Sequence, residues 1–146
     1  MKPTDRISEH FTYAEVTHSN LAKGLGMNND LPIELLPKIQ QMADMILEHI
    51  RAHFNKPIII TSWWRCPALN QMISNNPNSQ HTKGEAVDFI VKDIPNIEVA
   101  KYISKHLTFD QLVLEKSWVH VSFVSEGNRK EVLTCSDGRN YRKGLK

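Results

Sequence analysis

Two short runs constrain this chain more than any other feature: Ala86-Val87-Asp88-Phe89-Ile90-Val91 and Trp118-Val119-His120-Val121-Ser122-Phe123. Both are rich in the β-branched and aromatic residues that pack well on a pleated sheet. Because strand side chains alternate faces with period two, Val87, Phe89 and Val91 share one face of the first run, and Val119, Val121 and Phe123 share one face of the second. The other faces carry Asp88 and His120. Each is the ionisable exception in a strand that already has an apolar face to bury. Both can therefore converge on the open side of a sheet without disturbing a core.

Two neighbouring segments reach the same side. Phe109 to Glu115 reads as a strand, and a two-residue turn at Lys116-Ser117 pairs Glu115 with Trp118 and Val113 with His120. Paired residues share a face, so Glu115, Trp118 and His120 line one surface. In Ser79-Gln80-His81-Thr82-Lys83-Gly84, the glycine gives the chain the freedom to reverse and bring His81 beside Asp88. The pattern predicts two imidazoles and two carboxylates around one point. Catalytic zinc uses about three nitrogen or oxygen ligands and an open position for water, whose pKa falls from about 16 to about 7. A carboxylate off the metal must then take the proton. His81, Asp88 and His120 as ligands with Glu115 as base satisfy both needs. The same pattern also admits a plainer reading, with His81 a loop residue and Asp88 an incidental charge.

The rest of the chain supplies a scaffold. Ile39, Met42, Ala43, Ile46, Ile50 and Phe54 recur at helical spacing behind Pro37, predicting one long amphipathic helix that ends near Asn55. Phe11 to Ser19 and Asn20 to Asn29 read as short helical turns broken at Gly24 and Gly26. Ile58-Ile59-Ile60-Thr61 suits a buried strand, and a second helix is expected after Pro95 with Asn96 as its N-cap. Further strands are expected at Ala86 to Val91, Val119 to Val124 and, more weakly, Glu131 to Cys135. Helices segregated from short, hairpin-linked strands predict an α+β fold: a small, mainly antiparallel sheet with helices on one side. At 146 residues and 40% hydrophobic, the chain suits one domain over 1–146, with a helical lead-in over 1–30 and a basic tail over 137–146.

Charge and composition exclude several classes. With 18 basic against 16 acidic residues, no basic stripe points to nucleic acid. The N-terminus has no apolar signal-peptide core, and no run approaches the roughly 18 apolar residues of a membrane span. Synthesis in the cytoplasm without stable membrane insertion is the expectation, and a monomer is favoured. Cys66 and Cys135 have no metal-type spacing and read as two free, buried thiols.

SQHTKGEAVD matches the S-x-H-x-x-G-x-A-x-D signature of the zinc D-Ala-D-Ala carboxypeptidase and L-alanyl-D-glutamate endopeptidase family, which shares its fold with hedgehog domains. Trp118-Val119-His120 resembles that family's W-x-H motif. ITSWWRCPALN is similar to its I-T-S-G-x-R-x-x-x-L-N segment, and FTYAEVTHSNLAKGLGMNN to the lead-in of its small phage and prophage members. The resemblance implies one zinc ion held by His81, Asp88 and His120, with Glu115 as catalytic base. It implies that Arg65 holds a substrate carboxylate or carbonyl, that Ser79 and Gln80 support, and that Trp118 walls the cleft. The substrate would be peptidoglycan stem peptides, and the setting phage or prophage lysis, with the wall reached through another protein's membrane lesion or as a virion component. One departure stands out: Trp63 occupies the place of the family's glycine, where it would crowd or reshape the cleft. The spacing from base to final histidine varies within the family, and here five positions separate Glu115 from His120.

Other readings compete. A zinc-containing, non-catalytic binding module would keep the metal site, and a phage tail structural component would keep only its relic. His49 and His53 have the i, i+4 spacing of H-E-x-x-H, but Ile50 stands where its glutamate should be, so they read as flanking a buried stripe. His10, His18 and His106 have no partner pattern. Of Trp63 and Trp64, at a strand end, one at most should face a cleft.

Overall fold

The computed structural model describes residues 1–146. Its elements follow in the order β1 (Arg6–Ser8), β2 (Phe11–Thr12), α1 (Tyr13–Thr17), α2 (Asn20–Gly24), α3 (Leu36–Met42), α4 (Glu48–Phe54), β3 (Ile58–Ser62), α5 (Pro67–Ile73), β4 (Ala86–Val91), α6 (Asn96–His106), β5 (Gln111–Glu115), β6 (Val119–Ser122), β7 (Glu131–Cys135) and β8 (Arg142–Lys143). The fold is α+β, as the segregation of helical and strand patterns predicts.

The predicted long helix is one continuous rod from 36 to 54, with Pro37 in its first turn and Asn55 ending it in the left-handed region at φ 51°. Its middle, Ala43–Leu47, is wound as π-helix. The buried stripe of Ile39, Met42, Ala43, Ile46, Leu47 and Ile50 runs through this wider turn without a break. Ile39, Ala43, Ile46, Leu47 and Ile50 consequently lose all exposure. Each of the isoleucines and the leucine contributes about 1.5–3 kcal/mol of burial, and Ala43 about 0.8 kcal/mol.

The six-stranded sheet has the order β3-β4-β6-β5-β7-β8. Its pairs are antiparallel except β5 with β7, which run parallel. Register confirms the parity argument. Val87 pairs with Val121, and Val121 with Leu112, making a fully buried apolar row that packs with α6 and the long helix in one core. On the opposite face Asp88 pairs with His120, His120 with Val113, and Val113 with Leu133. The long helix and α6 pack against the first face, and the second row lines a cleft.

Four expectations need correction. Ile58–Ser62 is an edge strand rather than a buried one; Ile58 is buried but Ile59 is 47% exposed, because nothing pairs beyond it. Helix α6 begins at Asn96 itself, with Pro95 in the capping position and no side-chain cap. The lead-in contains a strand pair, β1 with β2, ahead of its short helices. The basic C-terminal segment is not a free tail. Arg142 pairs with Thr134 and Lys143 with Leu133, and Thr134 Oγ1 donates to the Gly144 carbonyl at 2.7 Å, while the Arg142 and Lys143 side chains stay exposed. Its alternation was too short to register as a strand in the sequence.

Candidate metal centre and cleft

Each member of the centre is delivered by a different local device. His81 sits in a 3-10 turn over Gln80–Lys83, which Ser79 caps by accepting the His81 backbone N–H at 3.3 Å. Gly84 ends the turn at φ 72°, buried against Ile39 Cδ1, and this reversal returns the chain into β4 beside His81. The Arg65 backbone N–H donates to the His81 carbonyl at 3.2 Å, clipping the turn to the segment after β3. Asp88 and His120 come from paired strands.

The His81 ring is buried, and its Nδ1 lies 2.7 Å from the Trp63 carbonyl. A carbonyl only accepts, so Nδ1 carries the proton and Nε2 is left with its lone pair. That Nε2 is buried, without a hydrogen-bond partner, 3.3 Å from Asp88 Oδ1. Asp88 Oδ1 in turn lies 2.8 Å from His120 Nδ1. One ligand atom from each of the three residues falls within 4.8 Å of the other two. A buried orphan lone pair facing a carboxylate and a second imidazole is a donor set that fits a zinc-like cation.

The electrostatics point the same way. Burial lowers the His81 pKa against the pull of Asp88 and keeps the imidazole neutral, as a metal ligand must be. Burial alone would raise Asp88, but the two imidazoles that face it, with His120 donating a hydrogen bond, outweigh that and hold the carboxyl well below its ordinary range. Arg65 adds a cation on the other oxygen, with Nη2 at 3.4 Å from Asp88 Oδ2.

Arg65 is itself buried and tightly held. Nε donates to Ser62 Oγ at 3.0 Å and Nη1 to Asn70 Oδ1 at 3.2 Å. Three of its five N–H groups are engaged, which leaves two for a ligand. Asn70 also donates to the Asn76 carbonyl at 2.8 Å, so one buried amide fixes both the guanidinium and the loop that borders the cleft.

Glu115 stands outside the three-residue cluster, on the same face. Its backbone N–H donates to the Trp118 carbonyl at 3.1 Å while Val113 pairs with His120, so the turn at Lys116-Ser117 has the predicted register. The five-position interval is therefore a hairpin that keeps Glu115 and His120 on one surface. Burial raises the Glu115 carboxyl; His120 opposes that, Asp88 adds to it, and the Cys135 thiol opposes it again.

All eight residues singled out in the sequence line one cleft of about 1040 Å³: Arg65, Ser79, Gln80, His81, Asp88, Glu115, Trp118 and His120. Gln80 uses its amide to reach Asp110 Oδ2 at 3.1 Å, and Arg129 grips the same carboxylate at 2.9 Å, so Gln80 braces the wall. Trp63 does not crowd this cleft. It is fully buried in the core, edge-on to Phe11 with ring centroids 6.1 Å apart, and contributes only its backbone carbonyl to the centre. Trp64 is buried as well, so neither indole faces the cleft.

The decoys resolve simply. His53 stacks on Tyr102 at 4.1 Å, and His10 bonds Glu48, which also accepts from Ser8 Oγ; this last group ties the N-terminal strand pair to the long helix. Cys66 and Cys135 are free, with Cys66 only partly buried. The sequence reading missed Asn70, Arg129 and Tyr141. Asn70 was within reach, since it closes the same ITSWWRCPALN segment as Arg65; the other two carry no motif, Arg129 being held at the cleft by Asp110 and Tyr141 by sheet register.

No curated protein matches the chain significantly. Family comparison matches residues 9–122, most of its length and every residue of the centre, to Peptidase M15. The chain belongs to the peptidase M15 family.

Proposed function

We propose that this protein is a zinc-dependent peptidase that hydrolyses a peptide bond in the stem peptides of bacterial peptidoglycan. The observation that carries the reading is the unpartnered, buried His81 Nε2 facing Asp88 and His120 on the floor of a long cleft. Membership of the peptidase M15 family supports it. His81, Asp88 and His120 would hold the ion. When bound, zinc supplies a Lewis acid that acidifies water and polarises a carbonyl.

The chain's own groups supply the rest. Glu115 takes a proton from the attacking water as the new carbon–oxygen bond forms, then returns it to the leaving amine as the carbon–nitrogen bond breaks. Arg65, fixed by Ser62, Asn70 and Asp88, offers its remaining N–H groups to a substrate carboxylate or carbonyl. Trp118 forms a wall beside Glu115. A phage or prophage lysis setting is part of the proposal and rests on the lead-in resemblance; clearing of bacteria only when a membrane-permeabilising partner is co-expressed would support it, and clearing without one would count against it.

Glu115→Gln separates an enzyme from a zinc-holding binding module. The expected variant keeps its zinc and loses about 10²–10⁴-fold in hydrolysis of purified peptidoglycan. Unchanged hydrolysis would remove Glu115 as the base.

A further inference from the structure

The cleft extends well past the metal centre, and its far wall comes from a part of the chain beyond the family match. That match ends at residue 122, whereas Arg129, Leu133, Gly138 and Tyr141 all line the cleft. Of these, Tyr141 is the large exposed side chain, at 57%, that no ion pair holds. Arg129, by contrast, is engaged by Asp110 and Glu131.

Register explains how Tyr141 arrives there. Glu115 pairs with Cys135 across β5 and β7. Thr134 pairs with Arg142 and Leu133 with Lys143, so continuing that antiparallel ladder by one step sets Tyr141 opposite Cys135. Trp118, Glu115, Cys135 and Tyr141 thus form one row across the sheet. The turn that precedes Tyr141 is closed by Asp137 Oδ1, which accepts the backbone N–H groups of Arg139 at 2.9 Å and Asn140 at 2.8 Å. Gly144 N–H then donates to the Val132 carbonyl at 2.8 Å. Tyr141 is therefore carried by a closed hairpin rather than a loose end.

We propose that Tyr141 is a substrate-binding residue, gripping the part of the stem peptide that lies on the opposite side of Glu115 from Arg65. This rests on the peptidase reading above. Arg65 follows β3 at one edge of the sheet, and Tyr141 precedes β8 at the other. Two strand spacings separate Glu115 from Tyr141, about 10 Å, or about three residues of an extended peptide. A peptide lying across the strands with its scissile bond at Glu115 reaches Tyr141 with a flanking residue and its backbone. The phenolic ring offers that residue an apolar face, with Leu133 beside it in the wall. Partial burial together with the Glu115 charge also keeps the phenol protonated.

The test uses the zinc-loaded full chain and soluble muropeptides prepared from purified sacculi, with kcat and KM read by mass spectrometry. Tyr141→Ala is expected to raise KM about tenfold, the worth of a partly covered ring, and to leave kcat within about twofold. Tyr141→Phe, which keeps the ring, should stay within about twofold in both, and the variants should match wild type in zinc content and melting temperature. Tyr141→Leu decides the matter if alanine unsettles the hairpin, and should also raise KM. An unchanged KM in Tyr141→Ala or, where that variant does not fold, in Tyr141→Leu overturns the inference while the peptidase reading stands. Loss of zinc in the folded variants would make Tyr141 structural and overturn it too. A wild-type protein that cleaves no muropeptide overturns both.

Discussion

Trp63 gives the sharpest quantitative test of how the centre is built. It occupies the position of a glycine in the resembling segment, yet its indole is fully buried and its carbonyl orients His81. Removing a core tryptophan to alanine costs about 3–5 kcal/mol in transfer and cavity terms, of which the edge-on contact with Phe11 is about 0.5–1.5 kcal/mol. One term opposes this. The Trp63 indole N–H is buried without a partner, a burden of about 1–3 kcal/mol that alanine removes. The balance puts Trp63→Ala at about 2 kcal/mol less stable. Trp63→Phe sheds the orphan N–H and keeps most of the ring, so it should fall within about 1 kcal/mol of wild type. Urea unfolding at fixed zinc concentration measures both, beside kcat and KM on muropeptides. A loss below 1 kcal/mol in Trp63→Ala with a marked change in KM would refute the reasoning, because it would put the indole in the cleft.

Chelation should lower the melting temperature by about 5–10 °C, the effect of losing a ligand held at about a hundred times its dissociation constant, and zinc should restore it; in His81→Ala chelation should shift nothing. Asp110→Asn should cost about 1–2 kcal/mol at neutral pH, since it removes the carboxylate charge and the Oδ2 acceptor of Arg129 Nη2 and Gln80 Nε2. Those hydrogen bonds from Arg129 hold the Asp110 carboxyl below its ordinary 3.8. Its stabilisation is therefore complete above that value and fades as pH falls through the depressed one, so unfolding curves of variant and wild type should converge in acid.

The centre was legible in the sequence because its logic is local and periodic. Strand parity alone put Asp88 and His120 on one face, a two-residue turn put Glu115 beside them, and Gly84 provided the reversal for His81. What escaped depends on contacts between distant segments. Ile58–Ser62 looks fully buried as a string of residues and becomes an edge strand only because no further strand follows it in the sheet. The parallel pairing of β5 with β7 and the docking of Arg142–Lys143 on β7 rest on few residues each, too few for a period to show. Tyr141 enters the cleft through both of those pairings, so neither composition nor motif marks it. Trp63 was misplaced for a related reason: motif alignment fixes a position in the chain, whereas the Phe11 contact decides where the side chain goes.

The most direct test of the account is a crystal structure of the zinc-soaked protein with anomalous data collected at the zinc edge. The account predicts one strong peak per chain, coordinated by His81 Nε2, Asp88 and His120 Nδ1, with Glu115 on the same face and off the metal. A map with no peak there, or with its zinc at Glu9, His10 and Glu48 instead, would contradict it.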